Sequence, residues 1–264
     1  MSVKVGVKMS FDKNKYLERI GIDPCEELPL TFETLCALQF AHVTTVPYEN
    51  ADIVNGIPLR LDVDGLFDKI VNRHRGGYCF ELNGLYAELL RALGFEVTDF
   101  MARFLRGETE IPIRRHRVLC VTLGDKRYLC DVGIGSAAPR YPLLIEEGVV
   151  QTQFGETYKF EKDDFLGWVI MEQYEGEWRP FFSFTEERQL DKDYIATSFY
   201  CEKHPDSIFI GAWMLSIKTE NGRKTLDGNI FKEFVGTEIQ TIREIENSEI
   251  PNVMKDVFGI DLTK

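Results

Sequence analysis

Three observations predict an α+β fold, in which helices and sheet occupy separate stretches of the chain. Across residues 1–95, apolar residues recur mainly at the spacing of helices. Residues from about 96 to 200 contain runs rich in β-branched and aromatic residues, separated by turn signals. Residues 201–264 combine strand-like runs with a closing helix. Helices, then strands, then a mixed segment predict helical and sheet parts that are segregated in space.

The helices of the first stretch are predicted from apolar stripes and caps. They cover residues 16–20, 32–42, 61–72 and the stretch after Cys79. Thr31 is a suitable N-cap for the second helix, because its hydroxyl can accept a hydrogen bond from the first turn. The helix after Cys79 carries an apolar stripe at helical spacing, made of Leu82, Leu85, Tyr86, Leu89 and Leu93.

The middle stretch includes a hairpin that can bring two polar side chains together. Strand-like runs cover residues 95–107, 117–123, 126–132, 156–162, 168–174 and 178–184. Gly124 and Asp125 are a turn signal between the second and third runs. A two-residue loop places His116 and Asp131 diagonally on one sheet face, within reach of each other. A three-residue loop would place them on opposite faces.

The last stretch contains a second hairpin signal and a helix end. Asn221 and Gly222 lie between two strand-like runs and predict a two-residue loop. Residues 250–258 predict a helix, which Gly259 can cap at its C-terminus.

Cys79 is the candidate nucleophile. It stands between two glycines and a predicted helix, and a helix N-terminus lowers the pKa of a thiol. A buried, inert cysteine is the alternative and is the common case. His116 and Asp131 would supply a base and its orienting carboxylate. Taken alone, that pair is more typical of the surface of an ordinary hairpin.

Composition narrows the class of protein. The formal net charge of −12 argues against a nucleic-acid partner, which requires a basic face. The first residues lack the apolar core of a signal peptide, and no apolar run suffices for a membrane span. The six cysteines contain no CxxC pair, so we expect neither a disulfide framework nor a structural metal. A cytoplasmic protein is predicted.

Several strings resemble the arylamine N-acetyltransferase family. The segment around Cys79 reads RGGYCFELN, His116 begins HRVLCV, and Asp131 begins DVGIG. VPYEN near residue 49 and HPDSIF near residue 206 are similar to further family segments. The resemblance implies a helical bundle over residues 1–95, a β-barrel over 96–200 and an α/β lid over 201–264. It also implies a papain-like Cys-His-Asp core.

The resemblance implies an activity as well. Family members move an acetyl group from acetyl-CoA to an arylamine, arylhydrazine or N-hydroxyarylamine through an acetyl-cysteine, in ping-pong order. By this resemblance, Cys79 is the nucleophile, His116 is the base, and Asp131 is the carboxylate that orients His116. No metal and no obligate protein partner are expected.

Further site residues are expected around this triad. For acceptor contacts we name Tyr78, Phe80, Gly133 and Ile134, with Ile134 standing where the family has phenylalanine. Arg114 and Arg115 are candidates for contacts to CoA, which is a polyanion in a negatively charged protein. Arg115 stands where bacterial members often have threonine. In the family the motif arginine pairs with a glutamate, which implies a buried structural pair between Arg75 and Glu49.

Two other functions share parts of this pattern. A papain-like or transglutaminase-like amide hydrolase would use the same triad with water as acceptor. A catalytically silent binding relative would keep the fold without the activity. The RGGYCFELN and DVGIG strings favour acyl transfer over the first alternative, and the intact triad residues argue against the second.

Overall fold

A computed structural model describes residues 11–263. Residues 1–10, where we expect no signal peptide, lie outside the described part. Helix α1 spans Lys13–Arg19 and α2 spans Phe32–Thr45. The Thr31 side chain accepts a hydrogen bond from the backbone N–H of Thr34 at 3.3 Å, so the predicted N-cap is confirmed.

The rest of the helical part leads to the segment of Cys79. Helices α3 and α4 span Ala51–Val54 and Val63–Phe67, and the chain continues as one π-helical turn over Asp68–Asn72. The predicted helix over 61–72 is therefore present from Val63 to Asn72, with π-helical geometry in its second half. Helix α5 spans Cys79–Leu93 and ends at Gly94, whose φ of 102° suits glycine.

An eight-stranded antiparallel sheet forms the middle of the molecule. Its spatial order is β5-β4-β3-β2-β9-β8-β7-β6. The strands span Glu96–Phe104 (β2), His116–Leu123 (β3), Lys126–Cys130 (β4), Leu143–Leu144 (β5), Gln151–Gln153 (β6), Glu156–Asp163 (β7), Gly167–Tyr174 (β8) and Glu177–Phe184 (β9). The Gln151 side chain hydrogen-bonds both the N–H and the C=O of Leu144, which ties the two edge strands together. The sheet is thus a nearly closed barrel.

The β3–β4 hairpin has the predicted two-residue loop, since Leu123 pairs with Lys126. Its strands separate two cores. Val118 and Cys120 pack inside the barrel, whereas Leu119 and Cys130 pack against the helices. Cys120 and Cys130 therefore lie on opposite faces, as the register predicts, and both are free thiols.

The lid consists of a second sheet and two helices. Strand β1 spans Tyr48–Glu49, and β10 to β13 span Met214–Lys218, Gly222–Asp227, Ile230–Val235 and Glu238–Glu244. The order β1-β10-β11-β12-β13 makes one antiparallel sheet. Helix α6 spans Tyr194–Lys203, and α7 spans Ile250–Phe258 with Gly259 as its left-handed cap. Helix α6 thus runs across the boundary that the sequence suggests at residue 200.

The predicted two-residue loop at Asn221 and Gly222 is wrong. Lys218 pairs with Arg223, and the Thr219 N–H donates to the Gly222 carbonyl oxygen at 3.0 Å, so the two turn residues are Glu220 and Asn221. Gly222 instead begins β11, where β12 lies so close that a Cβ would meet the Phe234 carbonyl oxygen at 1.9 Å. The close approach of β12 therefore places Gly222 in a strand rather than in the turn. This placement depends on tertiary packing and not on the local sequence. The predicted α+β fold of helical bundle, barrel and lid is nevertheless confirmed.

Candidate active site

Cys79 is the first residue of α5, and two neighbouring contacts hold it there. A Cβ on Gly76 would meet the Pro47 carbonyl oxygen at 2.0 Å, so this approach requires glycine. The Glu81 side chain accepts a hydrogen bond from the Tyr78 N–H at 3.1 Å. The N–H just before the helix is thereby satisfied, and the helix begins at the cysteine.

The hairpin brings His116 and Asp131 into direct contact. His116 Nε2 lies 2.6 Å from Asp131 Oδ2, and both side chains are buried. His116 opens β3, and Asp131 directly follows β4. Their shared sheet face follows from the two-residue loop, because side chains alternate along a strand. With Nε2 engaged, Nδ1 is the ring atom left for a reacting group.

Asn83 is a site residue that the sequence did not reveal. Its Nδ2 donates to Asp131 Oδ1 at 2.8 Å and to the Arg117 carbonyl oxygen at 2.6 Å. Its Oδ1 accepts from the Val132 N–H at 2.9 Å. Asn83 therefore joins α5, β3 and the chain after β4 around one carboxylate. The available signal was its spacing of four from Cys79, which places both on one helix face.

Asp131 has two further anchors, one on its carboxylate and one on its backbone N–H. The Gly133 N–H donates to Oδ1 at 2.8 Å, and Gln39 Oε1 accepts from the Asp131 N–H at 3.2 Å. A Cβ on Gly133 would meet Cys79 Cα at 2.7 Å. The turn after β4 can therefore lie directly against the start of α5 only because residue 133 is glycine.

Cys79 is a buried thiol, which differs from the expectation of a lowered pKa. Only 4% of the residue is exposed, and burial raises its pKa well above the ordinary value. The thiol donates to the Arg115 carbonyl oxygen at 3.6 Å. Elements distant in sequence cover the sulfur, so the rise in pKa caused by desolvation outweighs the lowering expected from the helix N-terminus. Burial therefore disfavours the thiolate, so a base is needed to remove the thiol proton.

Cys79 and His116 line the same cavity of about 230 Å³, between the barrel and the lid. Gly133 and Ile134, two of the residues named for acceptor contacts, are also part of its wall. The lid contributes one side of the lining, with Ile208, Phe209, Met214, Leu215, Ser216, Thr225 and Asp227. The walls are largely apolar, which suits a flat organic substrate.

Tyr78 and Phe80 lie outside this cavity, contrary to the expected acceptor contacts. Both are fully buried, and their rings meet edge to face at 5.4 Å. The Tyr78 hydroxyl hydrogen-bonds Ser198 Oγ at 2.7 Å, and Phe80 packs on Tyr194. They flank Cys79 in sequence, but the first turn of the helix directs them into the core beneath α6.

Arg114 and Arg115 are each engaged by a carboxylate. Arg114 Nη1 lies 3.2 Å from Glu187 Oε2, and Arg115 Nη2 lies 2.7 Å from Glu108 Oε1. Of the two, Arg115 is part of the cavity wall. Their charges are thus largely compensated, which weakens the expected contact to a polyanion.

Arg75 and Glu49 pair, within a larger buried network. Arg75 Nε donates to Glu49 Oε1 at 2.9 Å, and Arg75 Nη2 donates to Asp52 Oδ1 at 2.9 Å. Lys69 Nζ lies 2.7 Å from Asp52 and 2.8 Å from Glu81. Two cations and three carboxylates therefore connect β1, α3, the π-helical turn and the start of α5.

Two further properties concern the described residues as a whole. None of the helices in residues 11–263 has the length and apolar character needed to cross a membrane. The same residues contain no cluster of three or more His, Cys, Asp and Glu side chains suited to a metal ion.

Comparison with known proteins agrees with the fold and the site. A family profile described as N-acetyltransferase matches residues 31–264. The arylamine N-acetyltransferase of Mycolicibacterium smegmatis is 35% identical over 262 residues, covering 96% of this chain and 94% of that protein. The chain belongs to the arylamine N-acetyltransferase family.

Solved structures give the same assignment. The Salmonella typhimurium enzyme superposes with a TM-score of 0.89 at 25% identity, covering 94% of this chain and 90% of that one. The Mycobacterium marinum arylamine N-acetyltransferase in complex with CoA superposes with a TM-score of 0.89 at 30% identity. The match covers 96% of this chain and 94% of that one.

Proposed function

We propose that this enzyme transfers an acetyl group from acetyl-CoA to an arylamine, arylhydrazine or N-hydroxyarylamine through an acetyl-cysteine on Cys79. The observation that carries the proposal is the 2.6 Å contact between His116 and Asp131 beside a cavity that Cys79 also lines. The CoA bound to the Mycobacterium marinum relative supports the donor.

In the first half-reaction Cys79 Sγ attacks the thioester carbonyl carbon, and His116 takes the thiol proton. A base is required because burial raises the pKa of Cys79. Asp131 stabilises the resulting imidazolium and holds its tautomer. The Cys79 N–H at the start of α5 is our candidate donor to the oxyanion, since it has no intrahelical acceptor. Collapse of the intermediate expels the CoA thiolate, which recovers a proton from His116.

In the second half-reaction an amine attacks the acetyl-cysteine. His116 removes the proton that the nitrogen loses, and the Cys79 sulfur leaves and is reprotonated. One thioester replaces another in the first step, so the acyl-enzyme forms with little change in free energy. CoA departs before the amine reacts, which gives ping-pong kinetics.

Intact mass spectrometry tests this proposal directly. Mixing the enzyme with acetyl-CoA should add one acetyl mass and release CoA, and an arylamine should then remove the adduct. Cys79→Ser should show no adduct while keeping the same melting temperature. A Cys79→Ser variant that retains acetylation would contradict the covalent mechanism.

The same experiment separates the alternatives. An adduct that water discharges as fast as an arylamine does would identify a hydrolase. A parent enzyme that forms no adduct and releases no CoA would identify a silent relative. We infer small aromatic acceptors; cytoplasmic location and the absence of nucleic-acid, membrane or obligate protein partners stay predictions.

A further inference from the structure

The lid wall of the cavity continues into a pair of cations. Ser216 and Thr225 pair across β10 and β11, and both line the cavity. The next pair on the same sheet face is Lys218 with Arg223. Strand geometry places Arg223 about 7 Å from Thr225, along the cleft and away from Asp227.

The position of the turn between β10 and β11 decides which residue faces Arg223. A two-residue loop at Asn221 and Gly222 would have placed Glu220 opposite Arg223, whereas the observed register places Lys218 there. Among residues 11–263, no carboxylate forms an ion pair with Arg223. Its guanidinium lies 3.7 Å from the centre of the Phe234 ring and donates to the Gly236 carbonyl oxygen at 3.3 Å.

The surroundings of Arg223 compensate its charge only in part. Glu156 is the acid that acts most strongly on Arg223, but it already accepts from Lys218 Nζ at 2.7 Å and from Arg140 Nη1 at 3.3 Å. Arg106 approaches from the barrel side and is paired with Glu172. Burial lowers the pKa of Arg223, Glu156 opposes that effect, and Arg106 and Arg140 add to it, although an arginine stays charged.

Two acids and one further cation also lie on this sheet face. Asp227 pairs with Ile230 and Ile230 with Glu244, while Lys232 pairs with Thr225. Asp227 lines the cavity at the opposite end of β11, where burial raises its pKa and Lys232 opposes that effect. The local charge on this face therefore changes from negative at Asp227, beside the cavity, to positive at the Arg223 guanidinium, at the outer end. A ligand with an uncharged reacting end and an anionic far end fits this gradient.

We infer that Arg223 binds a phosphate group of acetyl-CoA at the outer end of the lid wall. A guanidinium matches phosphate oxygens with a fork of donors, and stacking on Phe234 holds that fork in place. The inference rests on the proposed donor. It assigns to the lid the contact that the sequence suggested for Arg114 and Arg115, whose charges are already paired.

The test compares donors with and without phosphates. Acetylation of Cys79 is followed by intact mass with acetyl-CoA, acetyl-dephospho-CoA and S-acetyl-pantetheine. Arg223→Met keeps a side chain that can cover Phe234 but removes the charge. We expect the substitution to lower kcat/KM for acetyl-CoA by about 10- to 100-fold, mainly through a higher KM. The loss caused by the substitution should be smaller when salt is added, because salt screens the charge. S-acetyl-pantetheine should react within about twofold of the parent rate.

A matched control comes from the other face of the same sheet. Arg243 lies 5.4 Å from the Phe231 ring, which packs towards α7, so Arg243→Met should leave the rate with acetyl-CoA unchanged. Arg223→Lys should restore part of the affinity, since it restores the charge. A smaller loss with acetyl-dephospho-CoA would assign the contact to the 3′-phosphate, and an equal loss to the pyrophosphate.

Two results would overturn the inference. An equal loss with S-acetyl-pantetheine would show that Arg223 only supports the lid, and an unchanged KM for acetyl-CoA would show that it does not bind the donor. Neither result affects the proposed function, which is tested separately by formation of the acetyl adduct in the parent enzyme and by its discharge to an arylamine.

Discussion

Replacing Arg75 with alanine tests the buried charge network that supports the start of α5. Arg75 is 3% exposed, and Glu49 is fully buried. Arg75 contacts both Glu49 and Asp52. Without Arg75, the nearby cation for these two carboxylates is Lys69, which also pairs with Glu81. The expected result is a large loss of stability.

The magnitude follows from the burial of the partner. Removing one member of a buried ion pair costs about 3–5 kcal/mol, because the remaining charge is desolvated and unpaired. For a chain of roughly this size each kcal/mol shifts Tm by about 2–4 °C, so Arg75→Ala should lower Tm by about 6–20 °C.

A double-mutant cycle isolates the pair. Denaturant unfolding measures the loss of unfolding free energy in Arg75→Ala, in Glu49→Ala and in the double variant. The loss in the double variant should be smaller than the sum of the two single losses by at least about 1 kcal/mol. The reason is that removing both partners leaves Asp52 with Lys69, which still lie 2.7 Å apart. Additive costs would show that Arg75 and Glu49 do not act as a pair.

The pH dependence of this loss has a definite sign. Burial alone would raise the pKa of Asp52, but Lys69 and Arg75 outweigh it and hold the pKa below its ordinary value. A carboxyl with a lowered folded pKa adds stability above its unfolded pKa of about 3.9 and loses it as pH falls through the folded pKa. The difference in unfolding free energy between the parent and Arg75→Ala should therefore narrow below about pH 4.

An exposed arginine provides the control. Arg60 pairs with Asp62, and both side chains are more than half exposed, so Arg60→Ala should leave Tm unchanged. The reasoning would be refuted if Arg75→Ala kept the parent Tm and raised only the KM for acetyl-CoA, because Arg75 would then bind phosphate.

Three further substitutions test the catalytic cluster. Asp131→Asn should reduce kcat by up to about 10⁴-fold, as in a comparable triad, and slow Cys79 alkylation near neutral pH; an unchanged alkylation profile against pH would show that the two are uncoupled. Ile134→Phe should shift the ratio of kcat/KM towards arylamines over alkylamines by about 0.5–1.5 kcal/mol if the rings pack, whereas a constant ratio would remove residue 134 from the acceptor pocket. Gly133→Ala should lower both Tm and kcat, because the added Cβ would lie 2.7 Å from Cys79 Cα and 2.8 Å from Asn83 Nδ2; parent-like values of both would mean that this turn relaxes freely.

Features that depend on short-range periodicity were predictable from the sequence. The β3–β4 register follows from one turn signal and strict alternation, and it places His116 beside Asp131. The start of α5 follows from a glycine pair and an apolar stripe, and it places Cys79 at the first helical position. Both depend on residues close together in the chain, which is why local patterns suffice.

Other features were decided by contacts between distant segments. The lid turn lies one residue earlier than its Asn-Gly signal predicts because Gly222 belongs to the strand that packs closely against β12. That shift sets Lys218 rather than Glu220 against Arg223. The raised pKa of Cys79 comes from burial, with Cys201 of α6 the next largest contribution. Desolvation and charge pairing depend on what packs around a group in three dimensions, and no local spacing of residues records that.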